Sequence, residues 1–144
     1  MLATWLGIPA FNKWGADRRV DELCAKDGGI IVYETVTLPR DRFNQWGQFH
    51  VADKRFVANS DHYYSSSKTE DIVGKSNMED IWSLNISRYH ISFHRKNDGK
   101  LLGEATAYSR RGGDKLGTLM PSAHVCPENI SNELSKQIFF PSIP

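Results

Sequence analysis

The chain has 144 residues and is nearly neutral, with 18 Lys and Arg against 17 Asp and Glu. This balance gives no electrostatic reason to propose nucleic acid or an acidic membrane as the partner. A hydrophobic content of 40% argues against disorder, and the length is that of one domain.

The first eleven residues, Met1 to Phe11, are apolar and uncharged. They match the length of a signal-peptide hydrophobic region but lack the basic residues that precede one. We expect residues 1–11 to be an apolar arm or a signal remnant that brings the chain near a membrane. Residues 12–144 are expected to form a single α+β domain.

A helix is predicted over residues 12–27, capped by Asn12. Ala16, Val20, Leu23 and Cys24 would share its buried face, and Gly28 would end it. A strand is predicted from Ile30 to Thr37, a short helical segment from Pro39 to Gly47, an irregular stretch over 48–61 and a strand from His62 to Val73.

The centre of the predicted fold is a long antiparallel hairpin over residues 82–111. Asn97, Asp98 and Gly99 fit a three-residue turn in which Gly99 takes a positive φ. Lys96 would then lie opposite Lys100, and Phe93 opposite Gly103, so that large residues meet small ones. The other face would be polar and would meet water or a partner; it carries His94, Ser92, His90 and Arg88 opposite Leu102, Glu104, Thr106 and Tyr108.

A short C-terminal helix is predicted from Pro127 onward, with Ile130, Leu134 and Ile138 on one stripe. The predicted fold class is therefore α+β. A small curved antiparallel sheet of about four strands surrounds the hairpin, and the helix over 12–27 packs on it.

The two cysteines, Cys24 and Cys126, form neither a Cys-x-x-Cys pair nor a Cys/His cluster. Two buried free thiols and one disulfide both fit this count. A disulfide would imply an oxidising compartment.

Several short motifs resemble those of a group of small bacterial proteins, many of them exported or lipid-anchored. The resemblance spans about residues 20 to 127 and includes Leu23 to Gly29, Val32 to Glu34, Leu38-Pro39, Arg95 to Lys100, Arg110 to Asp114, Pro121-Ser122 and Cys126-Pro127. It implies export and a Cys24–Cys126 pair, and it supplies no active site. The expected location is periplasmic or envelope-associated, and the alternative is cytoplasmic.

The histidines do not predict a metal site. His90 and His94 would lie on one face of a strand but about 13 Å apart, too far to share an ion. No serine-nucleophile or dinucleotide-binding motif is present. We expect no cofactor and no metal.

The stretch Arg110-Arg111-Gly112-Gly113-Asp114 is a candidate anion site, because two guanidiniums lie beside accessible backbone N–H groups. The alternative is a solvated turn in which Asp114 pairs with an arginine of its own loop.

Three functions fit the sequence. The first is a non-enzymatic exported domain that binds a protein or an envelope component through the polar hairpin residues, His90, His94 and Glu104, and the arginine loop. The second is a small hydrolase or ligand-processing enzyme using Glu34, Glu104 or His90. The third is a structural subunit that docks through its N-terminal arm. The sequence leaves the oligomeric state open.

Overall fold

The computed structural model describes residues 2–74, 83–113 and 122–143, with side chains from residue 14 onward. The fold is α+β, as predicted. Helix α1 spans Leu2–Asp27 and helix α2 spans Ile130–Ile138. The strands are β1 (Gly29–Val32), β2 (Val36–Leu38), β3 (Ala52–Asp53), β4 (Tyr63–Val73), β5 (Asn85–Arg95), β6 (Leu101–Arg111), β7 (Ala123–Cys126) and β8 (Phe139–Pro141).

Six strands form the main sheet, in the order β1-β6-β5-β4-β3, and β7 also pairs with β6. Strands β2 and β8 form a separate parallel pair. The sheet is larger than the four antiparallel strands predicted and is mixed, because β3 pairs with β4 in parallel. The predicted strand over residues 30–37 divides into β1 and β2. The predicted helix from Pro39 is a single 3₁₀ turn, Arg40–Arg42.

Helix α1 begins at Leu2, so the predicted start at Asn12 is wrong. Residues 2–11 continue the helix, and their role as an apolar arm or signal remnant stays a prediction. The helix ends as predicted, with the Gly28 N–H donating to the Cys24 carbonyl at 2.8 Å. Within the described residues, no helix is both long enough and apolar enough to cross a membrane.

The hairpin forms from β5 and β6; residue 82, its predicted first residue, lies outside the described ranges. Gly99 has a φ of 70°, as predicted. The turn is one residue longer than expected, since the Gly99 N–H donates to the Arg95 carbonyl and the Arg95 N–H donates to the Lys100 carbonyl. Farther along the strands, the side chains of Ser87 and Ser109 meet at 3.0 Å, which is consistent with the predicted register there.

Helix α2 buries Ile130, Leu134 and Ile138, as the sequence stripe predicted. It begins at Ile130 and not at Pro127. Asn129, just before it, has a φ of 54°, a left-handed conformation that asparagine tolerates better than most residues. This turn accounts for the later start.

The described chain forms two compact units. The first unit contains residues 1–28, 69–89 and 107–128, and the second contains residues 29–68, 90–106 and 129–144. The prediction that residues 12–144 make one domain stays a prediction.

Each unit has its own buried core. In the first unit, α1 packs Ala16 and Val20 against Ile86 and Tyr108. In the second, the Phe139 ring lies 4.7 Å from Phe49 and 5.0 Å from Tyr63, measured between ring centroids.

Candidate functional site

The candidate site is a set of side chains in the second unit that we call the polar hairpin face. Alternation along β5 places His90, Ser92 and His94 on one side of the sheet. The face also contains Ile31, Tyr33, Tyr64 and Glu104. The structure therefore brings the predicted residues His90, His94 and Glu104 to one surface.

At one side of this face, Glu104 lies between a histidine and a tyrosine. Its Oε2 is 3.7 Å from His90 Nε2, and its Oε1 accepts a hydrogen bond from the Tyr33 hydroxyl at 3.3 Å. The pKa of Tyr33 is raised, first by desolvation and then by the negative charge of Glu104 and its hydrogen bond. The tyrosine therefore stays a neutral donor beside the carboxylate.

His94 is fixed on both ring nitrogens. Its Nδ1 lies 3.3 Å from the Gly99 carbonyl, and its Nε2 lies 2.9 Å from the Ser92 hydroxyl. Since a carbonyl oxygen only accepts, Nδ1 carries a proton. The Ser92 hydroxyl beside Nε2 also donates to the Ser66 carbonyl at 3.3 Å, which ties this contact to the neighbouring strand β4. The ring also stacks on Tyr64, with centroids 5.0 Å apart. His94 is therefore held in place by contacts at both ring nitrogens and on one ring face.

Glu34 belongs to an ion-pair cluster at the end of the hairpin. Arg95 Nη2 lies 3.1 Å from its Oε1, and Lys100 Nζ lies 2.9 Å from its Oε2. Hydrogen bonds from Lys100 and Arg95 lower the Glu34 pKa. This environment keeps Glu34 ionised and paired, which does not suit the general base that the enzyme hypothesis required.

In the first unit, the hairpin side that was expected to meet water is covered by α1. Tyr108 is buried, and its hydroxyl donates to Asp27 Oδ2 at 2.6 Å. Arg88 Nε donates to the same oxygen at 3.3 Å. The expectation of a solvated surface is therefore wrong for Tyr108, because the helix brings a carboxylate acceptor to its hydroxyl. It is also wrong for Ser92, Leu102 and Thr106 of the second unit, which are buried.

The arginine loop also differs from the predicted anion site. Arg110 is only 2% exposed and donates to Asp17 through Nε. Its Nη1 donates to the Gly112 carbonyl at 2.7 Å and to the Ser122 hydroxyl at 3.0 Å. These bonds occupy Arg110 inside the protein, so it is not an accessible ligand for an external anion. Arg111 is exposed, and Asp114 lies outside the described residues.

Two further contacts fasten α1 to β7. Cys24 and Cys126 form a disulfide, with Cα atoms 5.9 Å apart, as the resemblance implied. His124 Nε2 lies 2.7 Å from Asp21 Oδ1. These residues have a structural role. Within the described ranges, no group of three or more His, Cys, Asp or Glu side chains is placed to hold a metal ion.

Sequence reasoning missed Tyr33 and Tyr64 as members of the face. Tyr33 follows Ile31 by two residues, so the alternation of a strand already placed the two on one side. The stacking of Tyr64 on His94 joins β4 to β5, and no local pattern reveals such a contact. Comparisons of the chain with protein-family models, with curated proteins and with solved structures found no match.

Proposed function

We propose that the protein is a non-enzymatic binding domain, exported to the bacterial envelope, and that its contact surface is the polar hairpin face. The observation that carries the proposal is the exposure of two large side chains beside the His90–Glu104 pair. Ile31 is 52% exposed and Tyr33 is 55% exposed. Exposed apolar and aromatic side chains next to polar groups are typical of sites that bind proteins.

The surroundings of the polar groups support binding over catalysis. Both nitrogens of His94 and the carboxylate of Glu34 are engaged by neighbouring groups. The partner we propose is a protein of the envelope, because aromatic and histidine side chains at an open surface suit a polypeptide better than a small substrate.

Export rests on the disulfide together with the resemblance to exported bacterial proteins. A disulfide persists in the periplasm, whereas cytosolic thiols are kept reduced. The bond between Cys24 and Cys126 is therefore consistent with an oxidising location.

The proposal is tested by placing a photo-crosslinking amino acid at position 33 in the native host. Position 56 is the matched control, because Phe56 also belongs to the second unit and is 75% exposed. We expect one defined protein to be captured from position 33 and not from position 56. Identical capture at both positions, or none at position 33, would contradict the proposal.

A captured partner is then purified and titrated against Tyr33→Ala and Phe56→Ala. An aromatic residue at the centre of an interface contributes about 2 kcal/mol or more, so Tyr33→Ala should weaken binding about thirtyfold. Phe56→Ala should leave it unchanged. Equal effects of the two substitutions would place the interface elsewhere.

A further inference from the structure

A small pocket lies in the second unit apart from the polar hairpin face. Its volume is about 120 Å³, and its apolar lining comes from Leu38, Pro39, Phe49, Ala52 and Tyr63. The Phe49 and Tyr63 rings meet edge to face, with centroids 6.1 Å apart. A dry apolar cavity of about 150 Å³ accepts benzene, so a pocket of this size suits a single ring.

The polar part of the lining is mainly cationic or nitrogen-bearing. Arg42, His50 and His62 all line the pocket. In the part of the chain that the structure describes, their side chains make no hydrogen bond or ion pair. Asp61, the carboxylate of the lining, accepts a hydrogen bond from the Ala58 N–H at 2.8 Å. The pocket therefore offers donors in excess of acceptors.

The pocket also has an open approach. A shallower groove of about 590 Å³ shares Asp61, His62 and Tyr63 with it and extends to Lys96. The Lys96 ammonium donates to the Ala58 carbonyl at 2.9 Å, which holds it on this groove. A second cationic group thus lies along the approach, and it favours the entry of an anion.

We propose that this pocket binds a small aromatic carboxylate, with the ring against the apolar lining and the carboxylate near Arg42, His50 and His62. An arginine and a carboxylate form a charge-assisted, often bidentate hydrogen bond. The ring of the ligand makes the apolar contact, and the positive charge of Arg42 makes the pocket prefer an anion. This proposal uses no residue of the polar hairpin face, so it stands or fails separately from the proposed function.

The test is a titration of ¹⁵N-labelled protein, followed by NMR, with benzoate and with benzyl alcohol as the uncharged ring of similar size. Because benzoate is so small, the protein should bind it with a Kd of about 1 mM. Benzyl alcohol should bind about tenfold more weakly, because it loses one charge-assisted interaction. The shifted amide signals should include those of Arg42, His50, His62 and Tyr63.

Two variants separate the charge from the cavity. Arg42→Gln should weaken benzoate about tenfold and leave benzyl alcohol unchanged. Arg40→Gln is the matched control: Arg40 lies in the same 3₁₀ turn, is not part of the lining, and donates to the Ser142 carbonyl. It should bind both ligands normally. Ala52→Leu should fill the pocket and abolish the binding of both, while a dispersed amide spectrum shows that the protein is folded.

Three results would overturn the proposal. They are no saturable benzoate shift up to about 10 mM, equal affinity for benzoate and benzyl alcohol, and an equal loss in the Arg42→Gln and Arg40→Gln variants.

Discussion

Arg110 and Arg111 are adjacent in sequence and differ entirely in surroundings. Arg110 is buried against Asp17 and donates to three oxygens of Gly112 and Ser122, whereas Arg111 is exposed. Replacing Arg110 breaks its ion pair with Asp17 and removes these three hydrogen bonds. We expect Arg110→Ala to lower the free energy of unfolding by about 3 kcal/mol, the low end for a broken buried ion pair because Asp17 is partly exposed.

Urea denaturation measures this effect. Arg111→Ala is the matched control and should change stability by less than about 0.5 kcal/mol. Arg110→Lys should recover only part of the loss, because an ammonium does not reproduce the planar guanidinium fork. Equal stability of the two alanine variants would mean that Arg110 is not structural.

The ion pairs of Glu34 predict a pH dependence. Its pKa is lowered in the folded protein by Lys100 and Arg95, so the unfolded chain binds the proton more readily. The stabilisation is complete above the ordinary glutamate pKa, and it is lost as pH falls through the lowered value. Denaturation midpoints measured from pH 7 down to about pH 3 should therefore fall less steeply for Glu34→Gln than for the native protein. Parallel curves would contradict this reading.

At this scale, the sequence indicated residue types better than their surroundings. Gly99 was predicted correctly, because Asn-Asp-Gly between two apolar runs requires a positive φ within the turn. The burial of Arg110 could not be predicted, because it depends on Asp17 and Ser122, which belong to distant parts of the sequence. A local pattern of two arginines beside glycines looks the same whether or not a helix covers it.

Among the elements, α2 and the hairpin strands were predictable because their apolar spacing is regular. Ile130, Leu134 and Ile138 recur at helical intervals, and all three are buried. The short strands β3, β7 and β8 were missed, since two to four residues carry too little periodicity to identify a strand. The start of α1 was missed because Asn12 is a favourable cap wherever a helix begins and does not prevent one from continuing.

The packing of α2 on β6 depends on the absence of a side chain at Gly103. A Cβ there would lie 2.7 Å from Ile138 Cδ1, 3.0 Å from the Ile31 carbonyl oxygen and 3.2 Å from Leu134 Cδ1. We expect Gly103→Ala to destabilise the protein by about 1–3 kcal/mol through overpacking. Ile138→Val alone should cost about 1 kcal/mol.

The double variant provides the sharper test, because valine lacks the Cδ1 atom that the new methyl group would meet. The double variant should lose less free energy of unfolding than the two single variants lose together. Chemical denaturation of the native protein, both single variants and the double variant measures this. Strict additivity would show that α2 moves away from β6 instead of meeting the added methyl group.

For the whole molecule, the disulfide connects fold to location. Cys24 and Cys126 are 102 residues apart in sequence, and closing a loop of that length stabilises a protein by up to about 4.7 kcal/mol. We expect protein taken from its native compartment to resist alkylation at both cysteines until it is reduced. Mass measurement under non-reducing conditions checks this, and two alkylated cysteines would contradict both the bond and export.

The same bond also determines how the molecule would carry a mechanical load. Tension applied at the two ends passes from Cys24 directly to Cys126 through the sulfur atoms, so the intervening segment bears none of it. Strands β1 to β7 all lie inside that covalent loop, whereas α2 and β8 lie outside it. Pulled in a force spectrometer, the oxidised chain would therefore extend roughly 350 Å less than the reduced chain, and only after reduction would the six-stranded sheet be stretched out.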